Sequence, residues 1–177
     1  PAKLDGGKSH NRVASLRRFI PLETGKAVNT LDCAWAAVDD MARGFNLVEI
    51  YDSADILVNQ LSANQPVDAW PEMEVVKVGR TTGYTQGSID AINVNNLTVS
   101  FGRNREARFD GQIQIESLCK SPFARPGDSG SLILDRDFTP VGLLFSGSSS
   151  GGFENMGYTW ANPIADVLEA LDLDILT

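Results

Sequence analysis

From residue 72 onward the chain is a succession of short apolar stretches cut by turn formers, and no other property limits its possible folds so strictly. The stretches are "MEVVKVG" (73–79), "GSIDAINV" (87–94), "LTVSF" (97–101), "GQIQIESL" (111–118), "SLILD" (131–135), "PVGLLFS" (140–146) and "MGYTWA" (156–161). Many carry β-branched or aromatic residues, and glycine, asparagine, aspartate or proline separate them, which predicts strands of an antiparallel sheet or barrel. In "INVNNLTV" the pair Asn95-Asn96 tolerates the positive φ angles of a tight turn, which predicts a hairpin between the flanking strands.

Before residue 50 the pattern is sparser. "RVASLRRFIPL" alternates like a strand, and "NTLDCAWAAVD" puts Leu31, Cys33, Trp35 and Ala37 on one side of a second strand. Residues 52–72, with prolines at 66 and 71 among polar residues, predict a connector, so the chain divides into an N-terminal unit of residues 1–67 and a C-terminal unit of residues 68–177. The end of the chain departs from the β pattern. In "ANPIADVLEALDLDIL", Asn162 is the expected cap and Pro163 the first helical residue, while Ile164, Val167, Leu168 and Leu171 recur at one-face helical spacing.

Composition narrows the partners. Fifteen lysines and arginines against 23 aspartates and glutamates leave a net charge of −8, and the basic residues form no run, so a nucleic-acid backbone would be repelled. No apolar stretch approaches the roughly 18 to 20 residues that span a bilayer, and the first residues lack a secretion-signal pattern, so no membrane partner is expected. Cys33 and Cys119 show no metal-binding spacing and are expected as small buried apolar residues, a single bridge being the alternative. So few cysteines suit a reducing cytosol better than secretion, although a removed leader would leave no trace.

The chemistry concentrates in "ARPGDSGSLIL", residues 124–134. A serine attacking an acyl carbon builds negative charge on the carbonyl oxygen, and preorganised backbone N–H groups meet that charge best. Glycines permit such a turn: Gly127 can present its N–H beside that of Ser129, and Gly130 lets the next strand leave at close quarters. Ser129 is therefore the candidate nucleophile, with the N–H groups of Gly127 and Ser129 as an oxyanion hole. A Gly-Asp-Ser-Gly turn also occurs in ordinary loops.

The flanks add specificity. "GDSGS" followed by "LILD", "PVGLLFSG" and a terminal amphipathic helix resembles the second barrel of the chymotrypsin-like serine peptidases. "VVKVGRTTGYTQGSI" (75–89) is similar to the "GRTTG" strand and turn of the bacterial, α-lytic-protease type. The resemblance implies an all-β fold of two orthogonal antiparallel β-barrels with a C-terminal α-helix, the first barrel incomplete in this chain. It implies a serine endopeptidase that needs neither metal nor organic cofactor. Ser129 matches the nucleophile, and Gly127 with Ser129 the oxyanion donors. Asp32 matches the triad aspartate, 97 positions before Ser129, against roughly 90 in the family; Asp39, Asp40, Asp52 and Asp55 are acidic competitors nearby. Ser146 matches a serine whose hydroxyl supports that aspartate, and Gly147 and Ser148 match the edge that pairs with a polypeptide substrate. Arg80 is expected to form an ion pair with Asp128, so that Arg80→Ala would cost both stability and activity. Phe123, Ala124 and Arg125, with residues 145–148 opposite, are expected to line the primary pocket. Phe123 in place of an acidic floor points to a small or medium apolar side chain before the scissile bond.

A serine and an aspartate without an imidazole do not make such an enzyme, because both proton transfers fall to histidine. The one histidine, His10, precedes Asp32 by only 22 positions and sits in the polar "GGKSHNRV", the context of a solvated loop residue. The histidine is therefore expected from a segment upstream of Pro1, on a separate chain, a further or disordered stretch, or the product of self-cleavage. Two alternatives stay open: a catalytically inactive member of the fold that binds proteins, and an esterase or transferase with the same oxyanion machinery.

Overall fold

The computed structural model describes residues 6, 8, 12–39, 49–51, 56–61, 65–102 and 105–175. Thirteen strands and one helix follow in order: β1 (Ala14–Phe19), β2 (Val28–Asn29), β3 (Ala34–Val38), β4 (Glu49–Tyr51), β5 (Leu57–Gln60), β6 (Glu74–Gly79), β7 (Gly83–Val94), β8 (Leu97–Ser100), β9 (Glu106–Phe109), β10 (Gln112–Ser117), β11 (Leu132–Asp135), β12 (Pro140–Gly147), β13 (Tyr158–Pro163) and α1 (Ile164–Leu171).

Strands β10, β13, β12, β11, β6 and β7 hydrogen-bond in that order into a closed antiparallel barrel. Side chains alternate across each strand, so Ile113 and Ile115 of β10 and Val75 of β6 point inward with Ile89, Phe123, Ile133, Val141, Leu144 and Ala161. The same alternation carries Lys77 of β6 to the interior, where it is 0% exposed. Val76, on the opposite face of β6, packs with Ile50, Leu134 and Phe138 outside the barrel.

The strands before the barrel form smaller sheets: β1 with β3, β4 with β5, and β2 in parallel with β9, which in turn pairs with β8. One barrel is closed among the described residues, and no second one is. Pairing of β2 with β9, Val28 opposite Arg108 and Asn29 opposite Phe109, carries backbone hydrogen bonding across the expected division at residue 67.

Several local expectations change. β7 and β8 are not hairpin partners; β7 pairs with β6 and β10, and β8 pairs with β9, a strand whose short "EARF" gave no sequence signal. The positive φ angles fall on Asn93 and Asn96, so the chain turns out of one sheet into another. The connector contains β5, and its later part is tied down by Val67 N–H donating to the Pro140 carbonyl and by Val67 and Ala69 packing on the barrel core. Cys119 is exposed rather than buried, and neither cysteine forms a disulfide.

Helix α1 buries Ile164, Val167 and Leu171 against Leu31 and Cys33, joining the end of the chain to its beginning. Each such apolar side chain contributes about 1.5–3 kcal/mol on burial. Pro163 rather than Asn162 is the residue at the helix start, and no side chain caps it. The buried Asn162 side chain is used elsewhere: its Oδ1 accepts from the Asp32 N–H at 3.0 Å, and its Nδ2 donates to the Asp32 carbonyl at 3.1 Å. Asn162→Ala removes both partners of the Asp32 backbone at once. Urea denaturation is expected to register a loss of about 1–3 kcal/mol; an unchanged midpoint would refute this role.

Candidate active site

The turn that carries Ser129 is organised around the side chain of the residue before it. Asp128 is 1% exposed. Its Oδ1 accepts from the N–H groups of Thr81 (2.7 Å) and Thr82 (3.2 Å), and its Oδ2 from the Thr82 hydroxyl (2.8 Å) and the Arg125 N–H (2.9 Å). Lys77 Nζ stands 3.6 Å from Oδ2, donates to the Thr82 hydroxyl and, at 3.2 Å, to the Gly83 carbonyl, and lies 5.6 Å from the centre of the Phe123 ring. Burial pushes the Asp128 carboxyl up, but the Arg125 and Thr81 N–H groups, the Thr82 hydroxyl and the Lys77 charge outweigh it and hold the group below its ordinary range. Burial pushes the Lys77 ammonium down, against the attraction of Asp128.

Lys77 is therefore the cation facing Asp128, where Arg80 was expected. Side-chain phase is the reason: Lys77 lies on the barrel-facing side of β6, whereas Arg80, already past the strand end, is exposed. The Arg80 guanidinium lies beside Gly127, with Nη1 3.1 Å from the place a Cβ on Gly127 would occupy. Gly79 has a different duty. A Cβ there would meet the Asp128 carboxylate, whose Cγ would stand only 2.6 Å away.

With Asp128 held, the N–H groups of the turn divide into two sets. Asp128 donates to the Arg125 carbonyl, Gly130 to Leu144 and Ser131 to Asp128. The N–H groups of Gly127 and Ser129 have no acceptor among the described residues, and Gly127 and Gly130 take φ values of 104° and 90° that suit glycine. Ser129 is exposed, and its hydroxyl reaches the Phe145 carbonyl only at 3.4 Å. A long bond of this kind leaves the proton available to a stronger acceptor.

A groove of about 680 Å³ opens beside Ser129, lined by Pro122, Ala124, Arg125, Pro126, Leu144, Ser146, Gly147, Ser148, Ser149 and Met156. Phe123 is not in it: its side chain is 1% exposed and belongs to the barrel core. Phe145 turns the other way and packs on Phe109, ring centres 4.9 Å apart. Gly147 and Ser148 pair through β12 with β13, Ser148 N–H donating to the Tyr158 carbonyl, while beyond Leu144 no described strand covers the other edge.

Asp32 is placed by the Asn162 clamp, and Asn162 itself lies opposite Leu143 on β12, two residues before Phe145. Its carboxyl is half-buried, and burial raises it above the ordinary 3.8. The neighbouring Cys33 thiol is pushed up by burial and by the Asp32 charge. Ser146 makes no hydrogen bond to Asp32 among the described residues and instead lines the groove. Of the acidic competitors, Asp39 bonds to Arg12 (2.9 Å) and Ser15 (3.4 Å). Asp40, Asp52, Asp55 and His10 lie outside the described residues. Sequence reasoning missed Lys77. The available signal was its alternation with Val75, obscured because Val76 and Val78 make the other face of β6 apolar as well.

Gly79→Ala forces the buried carboxylate of Asp128 to move and is expected to cost about 1–3 kcal/mol, read from the denaturation midpoint; a neutral substitution would contradict the packing described. For Asp32, a raised folded value means that the native state binds the proton more tightly than the unfolded chain, so stability falls as pH rises through that window and stays low above it. Asp32→Asn is expected to raise Tm at pH 7, with the gain vanishing below 3.8. A gain independent of pH would remove this account.

Comparison with family models matches residues 35–177 to the Nal1 C-terminal domain. No curated protein matches the chain. Among solved structures, Cellulomonas bogoriensis chymotrypsin is similar over 98% of this chain and 82% of its own, at 22% identity and a TM-score of 0.64. Thermobifida fusca protease A is similar over 82% of this chain and 68% of its own, at 23% identity and a TM-score of 0.59. Nocardiopsis protease is similar over the same shares, 82% and 68%, at 24% identity and a TM-score of 0.58. These likenesses establish the chymotrypsin fold for the barrel, sheets and terminal helix described above. No helix among the described residues is long and apolar enough to cross a membrane. With its model matching from within β3 to the last residue, the chain belongs to the Nal1 C-terminal domain family.

Proposed function

We propose that the chain is the nucleophile-bearing part of a serine endopeptidase. One observation carries the reading: an exposed Ser129 stands in a turn whose Gly127 and Ser129 N–H groups have no acceptor among the described residues, beside a groove and an uncovered strand edge. In the reaction, the Ser129 oxygen attacks the scissile carbonyl carbon as an imidazole takes its proton. The two N–H groups donate to the oxyanion of the tetrahedral intermediate. Collapse breaks the C–N bond, the imidazolium protonates the leaving amine, and water hydrolyses the acyl-enzyme by the same route in reverse. Asp32 accepts a hydrogen bond from the imidazole and stabilises its charged form. In this reading the imidazole is supplied by a segment upstream of Pro1, since His10 sits in the polar sequence "GGKSHNRV".

The substrate is an extended polypeptide that adds as a strand to the edge at Ser146, Gly147 and Ser148. Ala124, Leu144 and Met156 in the groove suit a small or medium apolar side chain before the scissile bond, and no carboxylate among the described residues lines it to favour a basic one.

The test is covalent labelling by a fluorophosphonate, with parallel peptide turnover, on the protein together with its upstream sequence. Labelling is expected at Ser129, and Ser129→Ala is expected to abolish it and to lower turnover by roughly 10⁴-fold or more. A folded protein that binds peptides but never takes the label would replace the endopeptidase with a protein-binding module. Turnover of esters without amides would make it an esterase.

A further inference from the structure

The core of this barrel contains a lysine that an apolar interior would ordinarily exclude. Lys77 is 0% exposed, midway along β6 and opposite Ile133 of β11. An ammonium in such a place needs anionic and polar partners. Those partners come from the β6–β7 turn and from the turn that carries Ser129: they are the Thr82 hydroxyl, the carbonyl of Gly83 at the start of β7 and, 3.6 Å away, the carboxylate of Asp128. Phe123 completes the surroundings with its ring face. Asp128 is the one charged group facing Lys77 among the described residues.

We infer that Lys77 is a positioning residue for the nucleophile turn. It holds the Asp128 carboxylate directly and through the Thr82 hydroxyl, and so keeps the Gly127 and Ser129 N–H groups turned outward. Thr82 is the hinge of this arrangement, because its oxygen accepts from Lys77 and donates to Asp128. Asp128 transmits the constraint: its carboxylate ties the Arg125 N–H on one side of the turn to the Thr81 and Thr82 N–H groups on the β6–β7 turn. Without the cation, a buried carboxylate would draw in water or a proton, and either change breaks part of that set. The importance of the outward N–H groups for acyl chemistry rests on the endopeptidase reading; the control of the turn by Lys77 does not.

The experiment compares wild-type protein with Lys77→Met and Thr82→Val. Lys77→Met removes the charge with little change of volume. Thr82→Val removes only the bridging hydroxyl and keeps the fold if Lys77→Met does not. In ¹⁵N-labelled protein, the amide resonances of Gly127, Ser129 and Gly130 are expected to shift and broaden in both variants, while those of Ile89, Ile115 and Val141 in the barrel core stay in place. Fluorophosphonate labelling of Ser129 is expected to slow by roughly 100-fold in Lys77→Met, the scale of losing one oxyanion donor. Turn resonances unchanged in a folded Lys77→Met, or unchanged in Thr82→Val should Lys77→Met fail to fold, overturn the inference. A wild-type protein that takes no label even together with its upstream sequence instead removes the endopeptidase reading, and the resonances still decide whether Lys77 sets the turn.

Discussion

The pairing of Lys77 with Asp128 inside the second half of the chain is the interaction on which the rest of the site depends. A buried ion pair is a poor source of net stability, because removing two charges from water costs several kcal/mol per ion and the mutual attraction only offsets it when every lone pair is met. Here four donors besides the lysine meet the carboxylate. What the arrangement supplies is shape. It fastens the turn between Arg125 and Ser131 to the end of a barrel strand.

That fastening has steric requirements which explain the glycines around it. Gly79 is needed because the carboxylate lies against its Cα, and Gly127 because its backbone takes a φ that L side chains rarely adopt. The same turn that satisfies Asp128 leaves two N–H groups without acceptors among the described residues, a state that buried backbone avoids and that solvent or a bound oxygen must complete. Asp32 follows a parallel logic. Its backbone is satisfied by Asn162, while its carboxyl stays half-buried and is raised by that burial.

Much of this was legible beforehand. Six barrel strands were visible as apolar stretches, because alternation and turn formers act over a few residues. The helix was visible through Ile164, Val167 and Leu171, and the turn that carries Ser129 through the glycines of "GDSG". Several differences are of partner choice. Asn162 looked like a helix cap because capping is read from the next three residues, whereas its amide bonds to a backbone 130 positions earlier. Asn95 and Asn96 looked like a hairpin turn, but β8 finds its neighbour in β9. The family resemblance puts the pocket floor at Phe123, whereas its side chain packs in the barrel core.

The division between the two sources of information follows from range. The sequence by itself determined the all-β character, the terminal helix, and the serine turn with its conformational demands, since each depends on residues within a few positions of one another. Tertiary structure alone decided which cation faces Asp128, which residues line the groove, and how Asp32 is tied to β13. Those outcomes depend on which face of a strand turns inward when a barrel closes, and β6, apolar on both faces, carries no local preference strong enough to announce it.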